Sequence, residues 1–196
     1  MTTLLTNQPL ANQTIVLIGA SSGIGLAVAQ LLAQQGATLT IASRTQIKLD
    51  KAAQAIAQET GQTVTTRTID TLSESAVKDF FEHYAVGGID HVINFAGDSM
   101  GGGVLDSDLP TAQNAMNSKF WGQFYVGRYG GPKIKSTGSL TFTGGSGPQP
   151  HQAIATIAAN AGVSLLAESL AKELAPVRVN VIAPYYVDSP MWSGME

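Results

Sequence analysis

Close to the amino end, Gly19-Ala20-Ser21-Ser22-Gly23-Ile24-Gly25 spaces its glycines four and then two residues apart, directly after the apolar run Thr14–Ile18. Such glycines permit a tight strand-to-helix turn and remove the Cβ atoms that would keep a bulky anion away from backbone N–H groups. The chemistry this allows is pyrophosphate binding at a helix N-terminus, through Gly19, Ser21, Ser22, Gly23, Ile24 and Gly25. A plain turn can use the same glycines; the strand–loop–helix setting is what points to a dinucleotide. In folds of that kind an acid about 20 residues further on commonly receives the adenosine ribose. Here the corresponding stretch is Ala42-Ser43-Arg44-Thr45, which has no carboxylate. Arg44 offers a planar, permanently charged fork suited to a 2′-phosphate, and Ser43 adds a hydrogen-bonding hydroxyl, so NADP(H) is expected in preference to NAD(H). The alternative is a solvated arginine in a loop.

These residues need a frame to position them. Short β-branched runs recur at Thr14–Ile18, Thr38–Ala42, Thr63–Thr68, His91–Phe95, Ser139–Thr143 and Val177–Ile182, and they read as buried, parallel strands. The first three begin 24 and 25 residues apart, room for a strand, a helix and two tight turns. The expected fold is therefore α/β: a Rossmann-type doubly wound parallel sheet in a three-layer α/β/α arrangement, one domain over residues 1–196. Ile24, Val28, Leu31 and Leu32 are read as the inward face of the first helix, stopped by Gly36, and Leu49, Ala53 and Ile56 repeat the pattern before Gly61. Gln152–Ala175 reads as the longest helix. It carries Ile154, Ile157, Ala161 and Leu165 on one side and Val163, Leu166, Leu170 and Leu174 on another, so it needs two partners: the sheet and a second subunit.

With those elements in place, the chain resembles the short-chain dehydrogenase/reductase family. Gly19–Gly25 matches its TGxxxGxG loop, with Ile18 in place of the threonine. Asn94-Phe95-Ala96-Gly97 is similar to its NNAG strand end, and Leu170-Ala171-Lys172-Glu173-Leu174 through Arg178-Val179-Asn180 resembles its LAxEL…RVN segment. The resemblance implies that Asp70 contacts the adenine and that Asn94, Ala96 and Gly97 lie beside the adenosine ribose; Asn94 can equally tie neighbouring strands together. Pro184-Tyr185-Tyr186-Val187-Asp188-Ser189 looks like the family's PGxxxT segment, which implies that Pro184, the backbone near Val187 and the Ser189 hydroxyl approach the nicotinamide end. Tyr185 stands where the family has glycine.

The same resemblance implies a degenerate catalytic set. Family members use Tyr-x-x-x-Lys on the long helix, the tyrosine to exchange a proton with the substrate oxygen and the lysine to lower its pKa and hold the ribose. Counting back from Leu170–Leu174 places Thr156 at the tyrosine position and Asn160 at the lysine position. Threonine is too weak an acid for that proton transfer at neutral pH, and an amide carries no positive charge, although Asn160 can still bond a ribose. Ser146, in Thr143-Gly144-Gly145-Ser146-Gly147, fills the catalytic serine's place if the loop shifts by a residue; otherwise it is an incidental serine in a glycine-rich turn. The family's helix-borne asparagine falls on Lys119, with Asn117 two residues away and pointing elsewhere. His151 and Tyr185 are the candidate substitutes for the proton donor, His151 reading otherwise as a surface residue.

Composition bounds the rest. Eleven basic against 14 acidic residues give a net charge of −3, and no Lys/Arg cluster forms, which excludes nucleic acid as an expected partner. Without cysteine there is neither a disulfide nor a thiolate metal site, and no metal is expected. Residues Met1 to Gln13 lack the pattern of a signal peptide and no apolar run is long enough to span a membrane, so a cytoplasmic protein is expected. Charged residues make up only 13%, about half the ordinary share, which fits surface buried in self-association through helix 152–175. The chain reads as truncated after the sixth strand, so the substrate pocket is expected to be open or finished by another subunit. Two functions follow: an oxidoreductase moving hydride between NADP(H) and a carbonyl or alcohol substrate, or a catalytically silent NADP(H)-binding sensor or interaction protein.

Overall fold

A computed structural model describes residues 8–98, 105, 108–145 and 154–190. Strands β1 (Thr14–Ile18), β2 (Thr38–Ser43), β3 (Thr65–Thr68), β4 (Ile89–Asn94), β5 (Ile134–Thr143) and β6 (Arg178–Ile182) form one parallel sheet in the order β3-β2-β1-β4-β5-β6. Helices α1 (Gly23–Gln34), α2 (Gln46–Thr60), α3 (Glu74–Glu82), α4 (Leu109–Met116), α5 (Gly122–Gly130) and α6 (Ile154–Glu173) provide the crossovers, with a π-helical turn, Asn117–Trp121, between α4 and α5. The order reverses direction between β1 and β4. Open parallel sheets place their ligand crevice there, outside the carboxyl ends of the strands.

The period-2 geometry of a strand divides β1 between two cores. Ile15 and Leu17 pack with α1 and α2, whereas Val16 and Ile18 face α3, α5 and α6. Leu17, Ile41, Val92 and Leu140 are all wholly buried, and burying each such side chain contributes about 1.5–3 kcal/mol. Both faces of the sheet are covered, which is why its central strands are apolar runs without alternation.

Three local readings change. Leu31 is 56% exposed, so it is not part of the inward face of α1; that face centres on Gly25, Ala29 and Ala33, with the expected Val28 and Leu32 packed at its edge. Small residues let the helix approach β1 closely: a Cβ on Gly25 would stand 2.3 Å from the Gly19 carbonyl oxygen. Strand β5 starts at Ile134, five residues before the expected Ser139, because a register irregularity against β4 lets the chain continue through Gly138. A Cβ there would lie 2.1 Å from the Asp90 carbonyl oxygen. Third, β4 begins at Ile89 and ends at Asn94, releasing Phe95 into the loop that shapes the site.

Gly36 and Gly61 adopt the left-handed conformation expected of helix ends, with φ of 85° and 72°. At the amino ends of the strands, away from the crevice, Lys135 bridges Asp90 at 2.8 Å and the Thr14 N–H donates to the same carboxylate. Burial pushes the Asp90 carboxyl up, but Lys135 and Thr14 pull harder and leave it below the usual carboxylate range.

Candidate functional site

The carboxyl ends of the strands open on one cavity of about 990 Å³, at the upper end of the range for small-molecule and cofactor sites. Its floor is the glycine loop, with Gly19, Ser21, Ser22, Gly23, Ile24 and Gly25 all lining it. Gly19 has φ +79°, and a Cβ on it would meet the Ala96 nitrogen at 2.5 Å, so the turn requires glycine both for conformation and for space. Ser22 is the N-cap of α1, but its side chain makes no cap hydrogen bond, and the first turn holds no acidic residue. The first N–H groups of that helix are therefore left for a ligand.

One wall comes from the end of β2. Ser43, Arg44, Thr45 and Lys48 line it. The Arg44 guanidinium lies 3.4 Å from the Asp98 carboxylate, with both side chains substantially exposed at 59% and 42%. An exposed pair of that length contributes little to stability and exchanges readily for a better anion. Lys48, one turn into α2, was not singled out from the sequence. Its signal was there: four residues beyond Arg44, at the start of a helix that follows the strand end.

The opposite wall is built from the β4 and β5 ends, α6 and the chain after β6. Ala96 and Gly97 line the cavity, while Asn94 does not. Asn94 is fully buried; its Oδ1 accepts the Ala96 N–H at 3.0 Å and its Nδ2 donates to Gln123 Oε1 at 2.9 Å. Gln123 in turn donates to the Thr143 carbonyl at 3.2 Å. This buried chain of amides ties β4, α5 and β5 together and fixes the Ala96 loop, the tying role that the sequence left open. Asp70 is exposed and accepts the Leu72 N–H at 3.0 Å; its neighbours Ile69 and Thr71 form the cavity wall there.

Thr156 and Asn160 sit one turn apart on α6, 2% and 8% exposed, and both line the cavity. Pro184, Tyr185, Val187 and Ser189 close it from the chain after β6, with Ser189 Cβ 3.6 Å from where a Cβ on Gly23 would be. Ser146 and His151 lie outside the described residues. Of the other histidines, His83 is exposed on the end of α3, and His91 is held among the strands by Ser139 and Gln13, burial lowering its pKa. Neither lines the cavity.

Lys119 does line it. The π-helical turn presents Ser118 and Lys119 to the cavity, whereas Asn117 opens on a separate shallow depression beside Met116, Trp121 and Ala155. A π turn of this kind is a frequent feature of functional sites.

Among the described residues, three buried side-chain polar atoms have no hydrogen-bond partner: Ser43 Oγ, Thr143 Oγ1 and Asn160 Oδ1. All three belong to residues that line this cavity. Buried polar groups are rarely left unsatisfied, and these three stand beside the cavity with hydrogen-bonding capacity unspent. No group of three or more metal-ligating side chains occurs among the described residues.

Comparisons with known proteins agree with this architecture. The family described as Enoyl-(Acyl carrier protein) reductase matches residues 19–196. An uncharacterized oxidoreductase of Staphylococcus epidermidis is 30% identical over 187 residues, covering 92% of this chain and 80% of its own. A short-chain dehydrogenase/reductase of Gibberella fujikuroi is 30% identical over 198 residues, covering 94% and 75%. Among solved structures, a short-chain dehydrogenase from Shigella flexneri complexed with NADP superposes with a TM-score of 0.87 at 25% identity, covering 96% of this chain and 84% of that one. A short-chain dehydrogenase/reductase from Mycobacterium ulcerans gives 0.85 at 23%, covering 93% and 70%. With the glycine loop, the strand order and the matched span in agreement, the chain belongs to the short-chain dehydrogenase/reductase family.

Proposed function

We propose that this chain is an NADP(H)-dependent oxidoreductase acting on a carbonyl or alcohol substrate, with a proton relay that differs from its family's. The observation that carries the reading is that three residues lining the cavity floored by the glycine loop, Ser43, Thr143 and Asn160, each hold a buried, unpaired polar atom. The residues present fit a dinucleotide. Gly19 to Gly25 and the open N-terminus of α1 would take the pyrophosphate, and Arg44 with Lys48 and Ser43 would take the 2′-phosphate. Ala96, Gly97, Asn160, Pro184, Val187 and Ser189 would border the rest. When bound, NADP(H) supplies or accepts the hydride.

The chain's own residues must position the substrate and move the proton. Thr156 places an aliphatic hydroxyl where the family has a phenol, so it orients a substrate oxygen better than it protonates one. Tyr185, 61% exposed at the cavity rim, carries a phenol that can hold a proton at its Oη. Asn160 offers an amide in place of an ammonium. That pair of substitutions also favours a second reading, a cofactor-binding protein that does not turn over. A screen of simple ketones with NADPH, following loss of nicotinamide absorbance, separates the two. Slow or undetectable turnover is expected; rates of about 1–10³ s⁻¹ would mean that another acid serves.

Self-association belongs to the same proposal. On α6, Val163, Leu166 and Leu170 pack into the core shared with β4, β5, α3 and α5, while Leu165 is 65% exposed. Leu109 and Trp121, on the neighbouring α4 and π turn, are 74% and 41% exposed. A homodimer or tetramer covering these residues is expected by light scattering at micromolar concentration. A clean monomer would contradict it.

A further inference from the structure

The cavity holds one cation that the cofactor reading does not use. Lys119 is only 8% exposed, and its stem passes over the backbone of Gly97: a Cβ there would lie 2.9 Å from Lys119 Cδ and 3.4 Å from Nζ. No hydrogen bond or ion pair reaches its Nζ among the described residues. The acidic side chain it senses is Asp98, whose carboxylate lies 3.4 Å from Arg44 instead. Among the described residues, Asp98 is also the single acidic one lining the cavity. A buried ammonium without a partner is costly, and replacing it by an apolar side chain of similar length would ordinarily be neutral or stabilising. Burial accordingly holds its pKa below the usual lysine value, the nearby Asp98 opposing this less strongly.

Its position in the topology says what could satisfy it. Lys119 stands on the crossover between β4 and β5, in the second half of the sheet, with Thr156 and Asn160 lining the same cavity. Arg44 and Lys48 stand at the end of β2, in the first half. In a doubly wound sheet each half takes one mononucleotide of a dinucleotide. Asn160 leaves its Oδ1 unpaired and brings no charge, so Lys119 is the one cation that α6 and the β4–β5 crossover present to this half of the cavity among the described residues.

Resting on the cofactor reading above, we propose that Lys119 is a cofactor-contacting residue whose ammonium, delivered from the π turn across Gly97, binds oxygens of the nicotinamide half of NADP(H). The adenosine half has its own cations, Arg44 and Lys48, so Lys119, whose stem passes over Gly97 where the two halves meet, is assigned to the other half.

The test uses the full chain, two ligands and one substitution. NADPH and 2′,5′-ADP, which carries only the adenosine half, are titrated into the unmodified protein and into Lys119→Met, and the melting temperature of each protein is measured without ligand. NADPH affinity is expected to fall by about 10- to 100-fold in the variant, the range for a lost charge-assisted hydrogen bond. Affinity for 2′,5′-ADP is expected to stay within about twofold, and the ligand-free melting temperature to hold or rise, as removal of a buried unpaired charge implies. NADPH binding within about twofold of the unmodified protein would overturn the proposal. So would an equal loss for both ligands, which would place Lys119 outside the nicotinamide half, or a collapse of the melting temperature, which would make the lysine structural. If the unmodified protein binds neither ligand, the cofactor reading itself fails; if it binds both and the variant binds both equally well, only the role of Lys119 does.

Discussion

The double variant Thr156→Tyr, Asn160→Lys is expected to reduce simple carbonyls about 10²-fold faster than the unmodified chain, or more. General acid–base catalysis typically contributes about 10²–10⁴-fold, and the two positions are where a phenol and its supporting ammonium would act together. Both side chains line the cavity from one face of α6, and the Asn160 amide lies against Gly145, 2.7 Å from where a Cβ would be. The glycine leaves room for a longer side chain that an alanine would deny. Either single change should give less: Asn160→Lys brings no phenol, and Thr156→Tyr brings one without the ammonium one turn away on α6 that would lower its pKa. Steady-state rates with NADPH check this. If the unmodified chain already turns over at ordinary enzyme rates, His151→Ala and Tyr185→Phe identify the group that serves.

Arg44→Ala is expected to weaken NADPH binding by about tenfold or more while leaving NADH nearly unchanged. A charge-assisted hydrogen bond to phosphate contributes about 1.5–3 kcal/mol, or about 10- to 100-fold. The exposure of Arg44 places the effect toward the lower end, and Lys48 on the same wall retains part of the preference. The substitution also leaves Asp98 without its 3.4 Å partner, facing the phosphate. Parallel titrations of both proteins with both cofactors measure the effect. Equal affinities for NADPH and NADH in the unmodified protein would exclude Arg44 from the role.

Much of this site was legible in the sequence because its requirements are local. Gly19, Gly23 and Gly25 are demanded by a turn and a helix start within seven residues, and Arg44 is found by counting from them. Strand β1 was legible to the residue, since a run buried on both faces has no other reading than a strand once a glycine turn ends it. Where packing decided, the sequence misled. Leu31 belongs to an apolar stripe by periodicity, yet the close approach of α1 to the sheet selects Gly25, Ala29 and Ala33 as the inward face. The early start of β5 depends on an irregularity against β4, which no single-strand pattern encodes. The resemblance put Lys119 at the family's asparagine position, but its burial across Gly97 and the unpaired hydroxyl of Thr143 are long-range features that acquire meaning only when β4, β5, α6 and the π turn meet. The amide chain from Asn94 through Gln123 to Thr143 is of the same kind, spanning 49 positions of the chain.

If the cavity at the strand ends is a nicotinamide-dinucleotide site that selects the 2′-phosphate, calorimetric titration of the purified chain with NADPH and then with NADH will show it. Saturation by NADPH at one equivalent per chain, with NADH bound more weakly, is the predicted result. No heat and no saturation with either cofactor would contradict it, because the open end of α1, the Arg44 wall and the three unpaired buried atoms would then have no common ligand.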